Sequence, residues 1–294
     1  MSDARDRDNV VWDPPRSVWF GVIALIALVG AVPAFTMSAF AVFATLTGLT
    51  LCAGHSVGIH RGLIHRSYRV SPWLERLLVY LGALVGLGGP LGLVRMHQAR
   101  DFQQNQPRCH DYFAHRQPWW RDYFWNLHCR FEPAVAVGPR LDEALGRDPF
   151  LRFLERTWRW QQAPLALLFF VLGGWPFLIW GVFVRVAVGT TGYWFVNFVT
   201  HRGGHRRWHN RGAAVQGWNS LLLGAISMGE GWHNNHHAFP RSARLGLRWW
   251  ELDPGWWLIA GLRAAGLATN VLVAGDASRA PSAVALRAAA APPA

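Results

Sequence analysis

Residues 17–60 read SVWFGVIALIALVGAVPAFTMSAFAVFATLTGLTLCAGHSVGIH and contain no Asp, Glu, Lys or Arg. A helix needs roughly 20 apolar residues to cross the hydrocarbon core of a bilayer, which is about 30 Å thick. The stretch is therefore long enough for two spans, and Pro33 together with residues 36–38 offers a break between them. We predict a helical hairpin with membrane spans near residues 18–35 and 38–60.

A second long apolar stretch predicts a second hairpin. Residues 163–184 carry no charge, and the apolar character continues past one arginine to Thr200. Glycine and proline near residues 173–176 mark the turn, which gives spans near residues 157–173 and 176–200. The chain is therefore predicted to be an all-α integral membrane protein with four transmembrane helices in two hairpins.

The composition supports a membrane protein over a nucleic-acid binder. Hydrophobic residues make up 51% of the chain and charged residues 16%, whereas a soluble domain averages about 25% charged residues. All 29 basic residues are Arg, and they outnumber the acidic residues by 12. Such a charge suits nucleic acid or an anionic membrane surface. The apolar runs favour the membrane, and we find no base-reading motif, so no nucleic-acid partner is expected.

The distribution of arginine predicts the orientation of the hairpins. The two presumed turns contain no Arg, whereas residues 61–159, between the hairpins, contain fifteen. Positively charged loops stay in the cytoplasm. Both hairpins should therefore enter from the cytosol and return to it. This prediction places both termini and a histidine-rich helical cap, formed by the middle segment and the residues after Thr200, on the cytoplasmic side.

One apolar stretch does not fit a simple span. Residues 77–94 are uncharged and rich in glycine, and they lie between Arg76 and Arg95. A fifth span here would put His65 and His97 on opposite sides of the membrane. We therefore predict that this stretch forms one helix at the membrane interface, or a partly re-entrant one.

The remaining features indicate one domain over residues 17–273. The chain shows no internal repeat and no linker rich in Gly and Ser. A polar segment, residues 1–16, precedes the domain and lacks the character of a signal peptide. The tail, residues 274–294, is rich in Ala and Pro without periodicity, which predicts disorder. The three cysteines are scattered and odd in number, which suits a reducing cytosolic face.

The thirteen histidines all lie between His55 and His237, in polar clusters that follow the apolar stretches. Under the predicted topology these clusters meet at one membrane surface. Neutral imidazole is a common ligand of transition metals, and iron uses mixed His and carboxylate sites to activate oxygen. Seven histidines and one carboxylate are too many for one ion and suit two. The candidate metal ligands are His60, His65, His97, Asp101, His201, His233, His236 and His237.

The sequence resembles the membrane-bound fatty acid desaturases, in their acyl-CoA or Δ9 branch. Residues 229–247, GEGWHNNHHAFPRSARLGL, resemble the third histidine box of that branch, and residues 60–68, HRGLIHRSY, match its first box, HxxxxH. Asn197 and His201 match the NxxxH of the fourth span, where the family's Asn reaches the metal through water. Arg185 sits where the family often has Arg.

The second histidine box departs from the family pattern, which is HxxHH. Residues 97–101 read His-Gln-Ala-Arg-Asp, so Arg100 and Asp101 replace two of the three histidines. Asp101 can bind iron and Arg100 cannot, and His110 or His115 are candidates to substitute in space. Seven of the family's nine ligand histidines are therefore present.

The resemblance implies an enzyme of lipid metabolism that inserts a cis double bond into a saturated acyl chain. It implies two irons, O2 as co-substrate and an acyl-CoA, another acyl thioester or a lipid as substrate. Electrons are expected from a separate ferredoxin, cytochrome b5-like protein or reductase. Two alternatives stay open: a hydroxylase of the same architecture, and a catalytically inactive relative that binds lipid, which the altered second box favours.

Overall fold

The computed structural model describes residues 9–133, 141–275 and 279–286, and within these ranges the chain is mostly helical. The α-helices are α1 (Pro14–Gly30), α2 (Met37–Leu49), α3 (Pro72–Ala83), α4 (Pro90–Gln104), α5 (Asp111–Ala114), α6 (Trp119–His128), α7 (Glu143–Arg147), α8 (Pro149–Thr157), α9 (Gln162–Leu178), α10 (Arg185–Thr200), α11 (Leu221–Ile226), α12 (His233–Ala238) and α13 (Pro254–Ala264). Two π-helical segments, Thr50–Ile64 and Ile179–Val184, continue α2 and α9.

Six short strands pair in three two-stranded antiparallel sheets among the described residues, a minor content that the all-α prediction did not include. The strands are β1 (Asn9–Trp12), β2 (Arg69–Val70), β3 (Cys129–Glu132), β4 (Trp208–Asn210), β5 (Ala268–Thr269) and β6 (Ala283–Ala285). The pairs are β1 with β3, β2 with β5 and β4 with β6. Each sheet ties together parts of the chain that are far apart in sequence.

The first apolar stretch forms two helices whose ends differ from the predicted spans. α1 begins after Asp13, whose carboxylate accepts a hydrogen bond of 3.1 Å from a backbone N–H of the first turn, and it ends at Gly30. α2 begins after Thr36, whose hydroxyl accepts a similar bond of 3.1 Å. Such side-chain acceptors satisfy N–H groups that lack a partner within the helix. The helix then continues without interruption to Ile64.

The second apolar stretch turns back on itself where the sequence predicted a turn. Gly173 and Gly174 have non-helical backbone angles, with a φ of +60° at Gly174, a conformation that glycine adopts without steric cost. The ring of Phe169 lies against Gly181, so the two halves lie side by side. The predicted start at residue 157 is wrong, because Thr157 ends α8 and α9 begins only at Gln162.

Two helical stretches among the described residues are long and apolar enough to cross a membrane, Met37–Ile64 and Gln162–Thr200, and the second of them contains the break at Gly173 and Gly174. The shorter apolar helix α1 has 17 residues. Only 22% of the residues in the most apolar 18-residue stretch of each long helix are buried. A core helix of a soluble protein would be mostly buried, so this exposure favours contact with lipid.

The predicted single helix over residues 77–94 is wrong, because two helices, α3 and α4, share this stretch. Gly86 has a φ of +79°, and Pro90 occupies the first turn of α4, so the chain breaks between them. α3 packs closely on the long helix Met37–Ile64. A Cβ added at Gly58 would lie 2.6 Å from the backbone of Leu78, which only a glycine avoids.

Both ends of the described chain take part in the fold. Asn9–Trp12 lies within the predicted polar N-terminal segment and forms β1. The prediction of a disordered tail is wrong for Ala283–Ala285, which pair with β4. The Arg279 guanidinium supports this strand by donating to the Ala283 carbonyl, and it lies over the Trp208 ring. The sequence showed no periodicity here because the strand is only three residues long.

Candidate metal centre

Four histidines from three parts of the chain form one group, the four-histidine cluster: His60, His65, His97 and His236. One ring nitrogen of each lies within 4.8 Å of those of the others. His60 and His65 are held together by π-helical geometry, in which the N–H of His65 donates to the carbonyl of His60, five residues earlier (3.1 Å). Their ring centroids are 4.8 Å apart. α4 supplies His97 and α12 supplies His236.

Three further histidines form the three-histidine cluster: His201, His233 and His237. Their ligand nitrogens also lie within 4.8 Å of one another. His201 directly follows the last residue of α10. His233 and His237 are four residues apart on α12, so these two share a face. His236, between them, joins the other cluster. The six-residue helix α12 therefore contributes to both clusters.

Buried asparagines hold this short helix in place. The Asn219 side-chain oxygen accepts the N–H groups of Asn234 and Asn235, at 2.9 and 3.2 Å. The Asn235 amide donates to the Leu245 carbonyl and to Glu251, each at 2.9 Å. Sequence reasoning did not assign Asn234 and Asn235 a role, although their position between the histidines of the third box was a usable signal.

Ring nitrogens in the four-histidine cluster lack hydrogen-bond partners, which is the condition expected of metal ligands before a metal binds. His65 Nε2, His97 Nε2 and His236 Nδ1 are buried and have no hydrogen-bond partner. A buried polar atom without a partner costs about 1–3 kcal/mol. Coordination of a cation is one way in which buried ring nitrogens of this kind gain a partner.

The protonation state of the histidines also suits metal binding. Burial lowers the pKa of His97 and of His237 to about 4. Burial likewise lowers the pKa of His233 and of His236 well below the usual value. These imidazoles are therefore neutral at pH 7, and neutral imidazole is the form that binds metals.

Carboxylates lie behind the four-histidine cluster. Glu230 Oε2 lies 2.6 Å from His60 Nδ1, and the Ser56 hydroxyl donates to Glu230 Oε1 at 2.6 Å. Such carboxylates orient a histidine and raise its basicity as a ligand. Sequence reasoning missed Glu230, although an acidic residue beside a histidine box after an apolar run was a signal for it.

Asp101, predicted as a candidate ligand, is not among the side chains of either cluster. Its Oδ2 lies 3.2 Å from His97 Nδ1. The four-residue spacing on α4 brings the carboxylate against the histidine itself instead of beside the other ring nitrogens. Asp101 is thus placed like Glu230, behind a histidine of the four-histidine cluster.

Asn197 and Arg100 contact each other at the edge of the three-histidine cluster. Arg100 Nη1 donates to Asn197 Oδ1 at 2.6 Å, and the Asn197 amide donates to the Tyr193 carbonyl at 2.9 Å. The side-chain oxygen predicted to face the metal through water is thus bonded to a guanidinium. The Arg100 side chain is largely buried.

His110 and Arg185, the other candidate site residues, belong to neither cluster. The His110 ring packs on Phe131, with centroids 5.1 Å apart, and the Tyr112 N–H donates to its Nδ1. Arg185 is buried and donates to the carbonyls of Gly181 and Leu84. Arg185 thereby links the start of α10 to the α3–α4 connection. These hydrogen bonds stabilise a charged side chain within an apolar stretch.

His115, the other candidate substitute for a missing histidine, lies next to the three-histidine cluster without joining it. Its ring stacks on that of His201, with centroids 5.2 Å apart. Its Nδ1 lies 2.9 Å from Asp122 Oδ1, which also accepts a hydrogen bond from the Trp194 indole. His115 therefore supports the His201 ring.

A cavity of about 280 Å³ opens onto both clusters. His60 and His97 line it from one cluster and His233 from the other, together with Arg100 and Asn197. The rest of the wall is mainly apolar and comes from the two long helices, α4 and α11, with Leu51, Ile64, Leu93, Val188, Phe195 and Leu223 among its residues. An apolar chain in this cavity would lie beside both groups of ring nitrogens.

The family model for fatty acid desaturases matches residues 37–271. The chain is 36% identical over 267 residues to the sn-1 stearoyl-lipid 9-desaturase of Anabaena variabilis, covering 88% of this chain and 96% of that protein. It is 38% identical over 258 residues to the sn-1 stearoyl-lipid 9-desaturase of Synechocystis sp., covering 86% and 78%. It is 34% identical over 247 residues to the acyl-CoA 5-desaturase AL21 of Anemone leveillei, covering 81% and 74%.

The fold, the histidine clusters and these matches show that the chain belongs to the fatty acid desaturase family. The predicted resemblance to this family is thereby confirmed. The protein is an oxidoreductase that desaturates fatty acyl chains. Enzymes of this family are membrane-bound and use iron and O2.

Proposed function

We propose that this protein introduces a cis double bond at position 9 of a saturated acyl chain carried by a lipid or a thioester. The observation that carries the proposal is one apolar cavity that meets both histidine clusters. The position is inferred from the relatives at 36% to 38% identity that are named 9-desaturases. Other relatives are named 5-desaturases and a delta-7 desaturase, so the cavity of this chain has to be tested directly.

Two irons are proposed as the metals. The four-histidine cluster would hold one ion and the three-histidine cluster, with Asn197 beside it, the other. Bound iron, reduced by an external electron donor, supplies the oxygen-activating chemistry that removal of hydrogen from a methylene chain requires. The chain itself holds the imidazoles neutral and oriented, keeps the acyl chain against them and excludes water by its apolar walls.

Four membrane spans are proposed from α1, the helix Met37–Ile64 and the two halves of Gln162–Thr200. The exposed apolar faces of these helices support the proposal. Both turns of the hairpins lack Arg, and the segment between the hairpins is rich in it. Both termini and both histidine clusters are then cytoplasmic.

The partners follow from the same orientation. A basic cytoplasmic face suits the phosphates of an acyl-CoA, or an acidic carrier or electron donor. We propose that electrons arrive from a separate ferredoxin, cytochrome b5-like protein or reductase. No nucleic-acid partner is proposed.

Lipid profiling after expression in a host that lacks its own desaturase tests this function. We expect new monounsaturated chains, with the double bond at position 9 when its position is mapped by mass spectrometry. Hydroxylated chains would instead establish the hydroxylase. An unchanged profile from a metal-loaded, correctly inserted protein would establish an inactive relative. The His236→Ala variant is the control, since it removes a ring nitrogen of the four-histidine cluster.

A further inference from the structure

The charged groups around the two histidine clusters differ in sign. Behind the four-histidine cluster lie two carboxylates, Glu230 at 2.6 Å from His60 Nδ1 and Asp101 at 3.2 Å from His97 Nδ1. Anions at these positions favour a cation bound by the imidazoles in front of them.

The three-histidine cluster is approached by a cation instead. Arg100 is 8% exposed, lies in the wall of the shared cavity with His233 and bonds through Nη1 to Asn197 Oδ1. The arginine guanidinium is a fixed cation in proteins. Asp101 Oδ1 lies 3.7 Å from Arg100 Nε, and the bond to Asn197 is made by Nη1. Asp101 therefore contacts His97 of the four-histidine cluster, whereas the Arg100 guanidinium bonds to Asn197, whose carbonyl contacts His201 of the three-histidine cluster.

A second N–H donor is directed at the three-histidine cluster by Gln104. His201 Nδ1 lies 2.7 Å from the Asn197 carbonyl and must donate to it, which leaves the lone pair on Nε2. Gln104 Nε2 lies 3.0 Å from that Nε2 and also donates to the Phe113 carbonyl at 2.8 Å. The Phe113 carbonyl sets the orientation of the amide, so its second hydrogen points at His201 Nε2.

We propose that the two clusters bind their metal ions with unequal affinity. The four-histidine cluster holds its ion tightly, and the three-histidine cluster holds the second ion weakly and exchangeably. Filling the second site requires His201 Nε2 to give up the Gln104 amide and the ion to bind near the Arg100 charge. The inference rests on the proposed function, because it concerns the metal site of that function. It makes loading of the second ion, which Arg100 opposes, a step that can limit activity.

Metal titration of the purified, chelator-treated full chain tests the proposal, with Co2+ as the probe because its visible absorption reports imidazole coordination. We expect one equivalent to bind tightly and a second to bind at much higher Co2+ concentration. His236→Ala should remove the tight equivalent, and His237→Ala should remove the weak one alone. Two equivalents of equal affinity in the unaltered protein would overturn the proposal.

A charge-matched pair of variants isolates Arg100. Arg100→Gln keeps a donor for Asn197 and removes the charge, whereas Arg100→Lys keeps the charge. We expect Arg100→Gln to tighten the second Co2+ site by on the order of tenfold to a hundredfold, and Arg100→Lys to leave it weak. An unchanged second site in a folded Arg100→Gln protein would overturn the inference.

The outcomes also separate this inference from the proposed function. Complete absence of Co2+ binding would overturn both, since neither cluster would then be a metal site. Two tight sites of equal Co2+ affinity, together with monounsaturated lipid products, would overturn only the proposed difference in affinity. The desaturase function would then still stand. Circular dichroism and a thermal unfolding curve of each variant show whether a lost site reflects a misfolded protein.

Discussion

At the scale of single residues, Arg100 and Asp101 are neighbours in the chain and contact different side chains of the site. Asp101 lies against His97, and Arg100 bonds to Asn197. Successive residues on a helix point about 100° apart, so two neighbours on α4 can face two sites. The two residues that stand where the family has histidines thus place a carboxylate beside His97 and a guanidinium beside Asn197.

Glu230 allows a test at this scale. Its carboxylate lies 2.6 Å from His60 Nδ1, where it can accept the proton of that nitrogen and leave the His60 Nε2 lone pair for the metal. We expect Glu230→Gln to weaken metal binding by roughly 10- to 100-fold, because the uncharged amide is a poorer acceptor. The measurement is the Co2+ affinity of the tight site.

Glu132→Gln is the matched control for Glu230→Gln. Glu132 is an exposed carboxylate that pairs with Arg130 on β3, so its loss should leave the tight site unchanged. Equal Co2+ affinity in the Glu230→Gln protein and in the unaltered one would show that Glu230 does not support His60.

At the scale of elements, glycines determine how closely α3 packs on the long helix Met37–Ile64. A Cβ at Gly58 would meet the Leu78 backbone at 2.6 Å, and one at Gly54 would meet the backbone of Leu81 and Gly82 at 2.4 Å. This contact positions the end of the helix that carries His60. The hydropathy pattern predicted the helix but not the contact, because packing between two helices depends on both surfaces.

The close packing of α3 on the helix Met37–Ile64 predicts that two glycine-to-alanine substitutions in this helix differ in their effect on thermal stability. Gly58→Ala should lower thermal stability and metal content, since backbone atoms of α3 cannot move aside without displacing the helix. Gly48→Ala is the control, because a Cβ there has no neighbour within 4 Å. Alanine favours the helix by about 1 kcal/mol over glycine, so the control should be neutral or slightly more stable. Equal thermal unfolding curves for the two variants would contradict the proposed close packing.

At the scale of the whole molecule, the arrangement of helices in the membrane determines which face meets soluble partners. Val32 lies in the connection between α1 and α2, and Trp249 lies in the segment before α13. Their side chains are 83% and 87% exposed. In the proposed topology these two positions lie on opposite sides of the membrane.

Cysteine labelling measures this arrangement. In a protein whose native Cys52, Cys109 and Cys129 are replaced, Val32→Cys should react with a membrane-impermeant maleimide added to intact cells. Trp249→Cys should react only after the cells are permeabilised. Labelling of both positions from the same side would show that the hairpin topology is wrong.

The sequence by itself indicated the long apolar helices and the set of candidate histidines. Both depend on local patterns: long uncharged runs, glycine and proline at the turns, and spacings such as that of His233 and His237. Even the turn at residues 173–176 was predictable, because glycine there permits a positive φ.

Only the tertiary structure divided the seven histidines into a cluster of four and a cluster of three. That division depends on contacts between residues far apart in the chain, such as His60 with His236 and His201 with His233. Only the tertiary structure also placed Asp101 against His97, outside the group of ligand nitrogens, and joined Arg100 to Asn197 by a hydrogen bond. Spacing along one helix states which side chains share a face, but the packing of other helices decides what that face meets.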